Sequence, residues 1–192
     1  MSIADGANYA PSAAAEHVVR PGEFRFAAAF LDHGHINGQV NGLLDAGGEL
    51  VAVYDPDPTR LKTFCERFPT ARVVEQFGDI LKDDSIRLVA SAAIPNQRAD
   101  IGLQVLEAGK DYFTDKSPFT TLEQLEIVRR NGERTKRRCF VYYAERLRNE
   151  AAWRGGEDAH SGGISDGIQG VELAPQGPDG TQRLGEFVAQ PK

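Results

Sequence analysis

The sequence predicts an α/β protein, a doubly wound sheet of parallel strands with helices on both faces. Short apolar runs alternate with segments of helical period from Phe24 to Tyr143, the pattern of successive βαβ units. Several of those runs, Leu50 to Tyr54 and Ile86 to Ala93 among them, are apolar almost throughout, as strands covered on both faces must be. An acidic residue, Asp55, closes the second run, 21 residues after Gly34 in the first strand–helix turn.

Each element has its own local reason. Phe24 to Leu31 is the first strand run, and Gly34 sits in the polar turn after it. Ile36, Val40, Leu43 and Leu44 recur at helical spacing as far as Gly47-Gly48, a helix stop. Leu50 to Tyr54 is the second strand, ended by Asp55-Pro56-Asp57-Pro58, since proline cannot continue a central strand. Thr59 is the expected cap of a helix carrying Leu61, Phe64, Cys65 and Phe68. Arg72 to Val74 is a short strand, and Phe77, Ile80 and Leu81 suit a small helix. Ile86 to Ala93 is the next strand, and Ala99 to Ala108 a helix stopped by Gly109. Asp111 to Thr114 is a strand, Thr121 caps a helix through Arg130, and Cys139 to Tyr143 is the last strand.

The ends differ in character. Residues 1–21 are rich in Ala, Ser, Gly and Pro and read as a flexible arm. Residues 22–150 form the folded domain. Residues 151–192 read as a glycine-rich tail or the incomplete start of a second domain. The stretch 155–192 holds nine of the 20 glycines and few periodic apolar positions, too little for a second core. The chain has 192 residues, 41% hydrophobic and 26% charged, with a formal net charge of −6. That balance disfavours nonspecific nucleic-acid binding, which draws on Lys and Arg. No apolar run approaches the ~18 residues of a membrane span, and no secretory leader is evident at Met1 to Arg20. Two distant cysteines, Cys65 and Cys139, fit a reducing cytoplasmic setting.

The first turn, Asp32-His33-Gly34-His35-Ile36-Asn37-Gly38, carries the chemistry. A phosphate-binding turn needs glycine where backbone meets pyrophosphate and a helix N-terminus aimed at the anion. Against G-x-G-x-x-G only the middle glycine, Gly34, is in place; Asp32 and Asn37 stand for the others. Read alone, it is a weak match, and an ordinary strand–helix turn accounts for it better. Asp55 strengthens the dinucleotide reading, because a carboxylate there can accept hydrogen bonds from ribose hydroxyls. Before Pro56 it also suits a plain turn. Asp32, His33 and His35 could share a metal, but a tetrahedral site needs more ligands, and His17 and His160 lie in the terminal segments. No metal is therefore assigned. Lys116 follows a strand, at the carboxyl edge where ligands bind. The cluster Arg129, Arg130, Arg134, Lys136, Arg137 and Arg138 contains no interleaved aromatics and reads as a solvated helix end.

Five segments taken together resemble the Gfo/Idh/MocA oxidoreductases. Leu50 to Pro58 is similar to that family's second strand and acidic turn, and Ile94-Pro95-Asn96 to its Pro-Asn loop. Leu106-Glu107-Ala108-Gly109-Lys110 resembles its Leu-Glu-Ala-Gly-Lys helix end. Asp115-Lys116-Ser117-Pro118 resembles its Glu-Lys-Pro motif, with Asp for Glu and Ser117 inserted. Tyr142 to Arg146 resembles its next strand and arginine. Arg98 lies near where the family often has histidine.

The resemblance implies a Rossmann-type domain binding NAD, with NADP less favoured, and oxidation or reduction of a sugar- or cyclitol-like carbinol. By that likeness Gly34, His35 and Ile36 would line the pyrophosphate and Asp55 would hold the adenosine ribose. Pro95 and Asn96 would border the nicotinamide, and Lys116 would touch cofactor and substrate as the catalytic residue. Asp158 and His160 lack the Asp-x-x-x-His spacing of the family's second domain, so no catalytic histidine carries over. The expected partners are a small-molecule substrate and either a second domain or a neighbouring subunit, with no nucleic acid and no membrane. Without that second domain, little dehydrogenase turnover is expected. Tyr142, Tyr143 and Trp153 would then be exposed where such a domain would pack. The alternatives are a non-catalytic nucleotide- or partner-binding relative, and an S-adenosylmethionine-dependent methyltransferase, which can also place an acid after its second strand.

Overall fold

A computed structural model of the chain describes residues 17–143. The strands are β1 (Arg25–Ala29), β2 (Glu49–Tyr54), β3 (Arg72–Val73), β4 (Leu88–Ser91), β5 (Asp111–Asp115) and β6 (Cys139–Tyr142). The helices are α1 (His35–Asp45), α2 (Pro58–Arg67), α3 (Phe77–Lys82), α4 (Arg98–Glu107) and α5 (Leu122–Thr135). A single 3₁₀ turn, Pro95–Gln97, leads into α4. All neighbouring strands pair in parallel, in the order β3-β2-β1-β4-β5-β6. This is the doubly wound topology that the alternating pattern predicts. The chain reverses its direction of winding between β1 and β4, so the helices fall on opposite faces.

Side-chain alternation along β1 sorts the core into two layers. Phe26 and Ala28 face α1 and α2 and pack with Ile36, Val40, Leu43, Phe64 and Phe68. Ala27 and Ala29 face the other helices and pack with Phe77, Ile80, Val105 and Val128. Strands β4 and β5 are buried at every residue. One irregularity sits between β1 and β2. Phe26 pairs with Leu50 but Ala27 with Ala52, so Val51 is an extra residue. The bulge puts Leu50 and Val53 on the same face, which strict alternation would not.

Several boundaries and contacts differ from expectation. Helix α2 is capped by Asp57, whose carboxylate accepts the Thr59 N–H at 2.8 Å; Thr59 itself is already helical, behind Pro58. Proline is favoured at that first position, so the cap moves two residues earlier. Thr121 does cap α5, which runs to Thr135, five residues beyond Arg130. Tyr142 is buried against His35 and Phe113, because its side chain turns into the core layer on that face of the sheet; Tyr143 is exposed. Arg138 is buried too, so the basic cluster is not wholly solvated. Arg129 and Arg130 pair with Glu126, and Arg134 with Glu107.

At the start of the described chain, the Val18 and Val19 N–H groups donate to the Ala46 carbonyl at the end of α1. Most of the 1–21 segment, and the 151–192 segment with Trp153, Asp158 and His160, lie outside the described residues. Among the described residues, no helix is long and apolar enough to cross a membrane, and Cys65 and Cys139 are free thiols.

Candidate functional site

The carboxyl ends of β1, β2, β4 and β5 meet on one edge, where the winding reverses. The first turn leaves β1 in an unusual way. Phe30 has φ 56, a left-handed conformation that a bulky side chain rarely adopts. Its ring stacks edge-on against Tyr54 and Phe77, at 5.5 and 4.9 Å between centroids, which holds it there. Gly34 is exposed at the N-cap of α1 and presents no side chain to a ligand. The next N–H groups have local partners. His35 N–H donates to His33 Nδ1 at 3.2 Å, Ile36 N–H to the His33 carbonyl at 3.1 Å, and Asn37 N–H to the Gly34 carbonyl at 3.1 Å. Ile36 turns its side chain into the core, so only its backbone can face a bound group.

Asp55 stands immediately beyond β2 with its carboxylate buried. Oδ2 accepts the Leu31 N–H at 2.6 Å, and Oδ1 accepts the Asp57 N–H at 2.7 Å and the Arg60 guanidinium at 2.9 Å. Arg60 also faces Asp32 at 3.4 Å and Asp57 at 3.5 Å. One cation among three carboxylates leaves an excess of two negative charges at the end of β2.

The other side of the edge is organised by Asp115, the last residue of β5, which is buried. Oδ1 meets His35 Nδ1 at 2.9 Å and accepts the Lys116 N–H at 2.8 Å. Oδ2 accepts from Arg98 at 3.2 Å and lies 3.8 Å from His33 Nδ1. Arg98, also buried, donates its Nε to the Ala93 carbonyl at 2.6 Å and its Nη1 to the carbonyls of Lys116 and Ser117. The guanidinium thus ties the end of β4 to the loop after β5. Within that loop Ser117 takes φ 63, a turn that lets the chain pass from Lys116 to Pro118. Lys116 is half-buried, and Pro95 and Asn96 are exposed on the 3₁₀ turn. Burial, and next to it His35, hold the His33 imidazole below its ordinary pKa, while Asp115 works in the opposite direction.

The residues that the sequence marks as a site therefore converge from two sides. Gly34, His35 and Asp55 come from the β1–β2 side, and Pro95, Asn96 and Lys116 from the β4–β5 side. The sequence does not mark Arg98 and Asp115 as partners of this turn. Their positions, at the carboxyl ends of neighbouring strands, were the available signal. The carboxylate that joins His33 and His35 is Asp115, 80 residues away from His35, and not the adjacent Asp32. The Leu106 to Lys110 segment lies at the opposite end of the sheet. Lys110 Nζ is buried there and donates to the Asp83 and Ile86 carbonyls at 2.7 and 3.1 Å, a structural role.

A parallel sheet in the order 3-2-1-4-5-6, with an acid after its second strand and a ligand edge at the switch point, defines the class of dinucleotide-binding α/β domains. Residues 25–143 match the model of the Gfo/Idh/MocA oxidoreductase family, NAD-binding Rossmann fold, and the chain belongs to that family. It is 33% identical over 100 residues to an inositol 2-dehydrogenase of Acidothermus cellulolyticus (strain ATCC 43068 / DSM 8971 / 11B), a match covering 50% of this chain and 29% of that protein. A solved protein of Erwinia carotovora atroseptica SCRI1043, assigned as an oxidoreductase, superposes with a TM-score of 0.67 at 40% identity, covering 72% of this chain and 42% of that one. An NAD-binding protein of Listeria innocua shares the fold, with a TM-score of 0.59 at 17% identity over 68% and 38% of the two chains. The chain thus spans less than half the length of these relatives.

Proposed function

We propose that the edge between β1 and β4 binds NAD in preference to NADP, and that the bound dinucleotide serves the oxidation or reduction of a polyol carbinol, sugar- or cyclitol-like. The observation that carries the reading is Asp55 with its surroundings. A buried carboxylate at the end of β2 is the group that accepts ribose hydroxyls in such folds. Among the described residues Arg60 is the cation paired with these acids, and a lone arginine there would welcome a 2′-phosphate. Here it is outnumbered by Asp32, Asp55 and Asp57. A dianionic phosphate would meet a net negative surface, whereas a neutral hydroxyl would not.

The remaining residues fit the rest of the cofactor. Gly34 lets a pyrophosphate approach the backbone at the start of α1. Pro95 and Asn96 offer an exposed ledge on the nicotinamide side, next to Lys116. When bound, the nicotinamide supplies the hydride acceptor. Lys116 then orients the substrate hydroxyl, and its backbone is fixed for that task by Asp115 and Arg98. The polyol class rests on the likeness to the inositol 2-dehydrogenase.

Isothermal titration with NAD, NADP and S-adenosylmethionine at one salt concentration tests the reading. Saturable NAD binding, at least about tenfold tighter than NADP, is expected; tenfold corresponds to about 1.4 kcal/mol. NADP binding as tight as NAD overturns the specificity, and binding of S-adenosylmethionine alone overturns the class.

A further inference from the structure

We propose that His33, His35 and Asp115 form a binding site for a divalent transition metal of the zinc class. One ligand atom from each residue lies within 4.8 Å of the other two. His35 Nδ1 is 2.9 Å from Asp115 Oδ1, His33 Nδ1 is 3.8 Å from Asp115 Oδ2, and the two rings sit 4.1 Å apart. Zinc bonds of about 2.1 Å in a tetrahedron put ligand atoms about 3.4 Å apart. The three donors already straddle that spacing, so side-chain rotation alone can close the set.

The surroundings resemble those of a built metal site. His35 and Asp115 are buried, and His33 is half-exposed, which leaves the fourth position open toward solvent. The carboxylate is held from behind by Arg98 on Oδ2 and by the Lys116 N–H on Oδ1. Such outer hydrogen bonds fix the orientation of ligands. Two imidazoles with one carboxylate select zinc, cobalt or nickel over calcium and magnesium, which prefer oxygen. His33 Nδ1 accepts the His35 N–H, so in the neutral ring its lone pair is directed at that amide. A metal would take over that lone pair at the cost of one hydrogen bond, about 1 kcal/mol. Arg98 and Lys116 oppose a cation. Arg98, however, is already spread over Asp115 and three backbone carbonyls. Hydrogen bonding of one histidine would need only one ring nitrogen at Asp115; the structure brings two.

This site adjoins the edge proposed for the dinucleotide but does not rest on that reading, and its test uses the metal alone, with no nucleotide present. The full chain, dialysed against a chelator, is titrated with Zn²⁺ in competition with a chromogenic chelator, and with Co²⁺ by visible absorption. Expected are one equivalent bound in the micromolar range or tighter and an intense tetrahedral Co²⁺ spectrum. Affinity should fall at least about tenfold in His33→Ala. His33 is exposed enough for that variant to fold, which its urea midpoint checks. His17→Ala, at an exposed residue beside Gly47, should bind as the parent does. Binding weaker than about 1 mM, binding unchanged in His33→Ala, or an octahedral Co²⁺ spectrum would each overturn the proposal.

Discussion

Arg98 shows how much of the site depends on a residue outside the recognised motifs. It is a buried cation whose donors reach the end of β4, Asp115 and the two carbonyls after it. Truncation removes the guanidinium from the buried Asp115 Oδ2 and from the carbonyls of Ala93, Lys116 and Ser117. Breaking a buried pair in this way costs about 3–5 kcal/mol. Arg98→Ala should therefore lower the urea unfolding free energy by that amount, and a loss below about 1 kcal/mol would show that Arg98 is not the clamp. Arg98→Lys should recover little, since a point charge cannot span the fork. Asp55 was legible in the sequence because its place depends on local spacing: a strand, a Pro-bounded turn and a fixed distance from Gly34. The union of His33 and His35 with Asp115 was not, because it depends on β1 and β5 both ending at one edge with β4 between them. Asp32 was the nearer carboxylate in sequence, but it turns to Arg60.

At the level of elements, periodicity and stop signals located each strand and α-helix of the described residues, with boundaries moved by up to five residues, but not the 3₁₀ turn at Pro95–Gln97. The differences have local causes. Pro58 draws the α2 cap back to Asp57, and the bulge at Val51 lets β2 present Leu50 and Val53 to one layer. Close packing of α4 on β5 was invisible, because it depends on one missing side chain. A Cβ at Gly102 would lie 2.8 Å from two ring atoms of Tyr112, which is itself buried. Gly102→Ala should therefore lower the melting temperature, the overpacking of about 1–3 kcal/mol outweighing the helix propensity gained. Gly78, in α3, has open space where its Cβ would go. Gly78→Ala should raise stability by about 0.5–1 kcal/mol. Calorimetry of the pair checks both signs, and a stabilised Gly102→Ala would mean that α4 does not sit against Tyr112 as described.

At the scale of the whole molecule, the winding of the sheet explains why distant segments share one edge. Strands β1 and β4 are neighbours but lead their helices to opposite faces, the arrangement that in such folds leaves a ligand crevice beyond the carboxyl ends. The segments from 25 to 143 that resemble the family supply both walls of it. In the proposed function this edge receives the dinucleotide, with adenosine on the Asp55 side and nicotinamide on the Lys116 side. The most direct measurement is amide mapping by NMR, in which NAD is titrated into the ¹⁵N-labelled chain and each backbone shift is followed. Saturable shifts are expected at Gly34, His35, Asp55, Asn96 and Lys116, with AMP alone moving only the first three. No shift is expected at Lys110 or Asp111, at the opposite end of the sheet. Shifts clustered at that opposite end, or none at Gly34 and Asp55 at saturating NAD, would overturn the proposed placement of the cofactor.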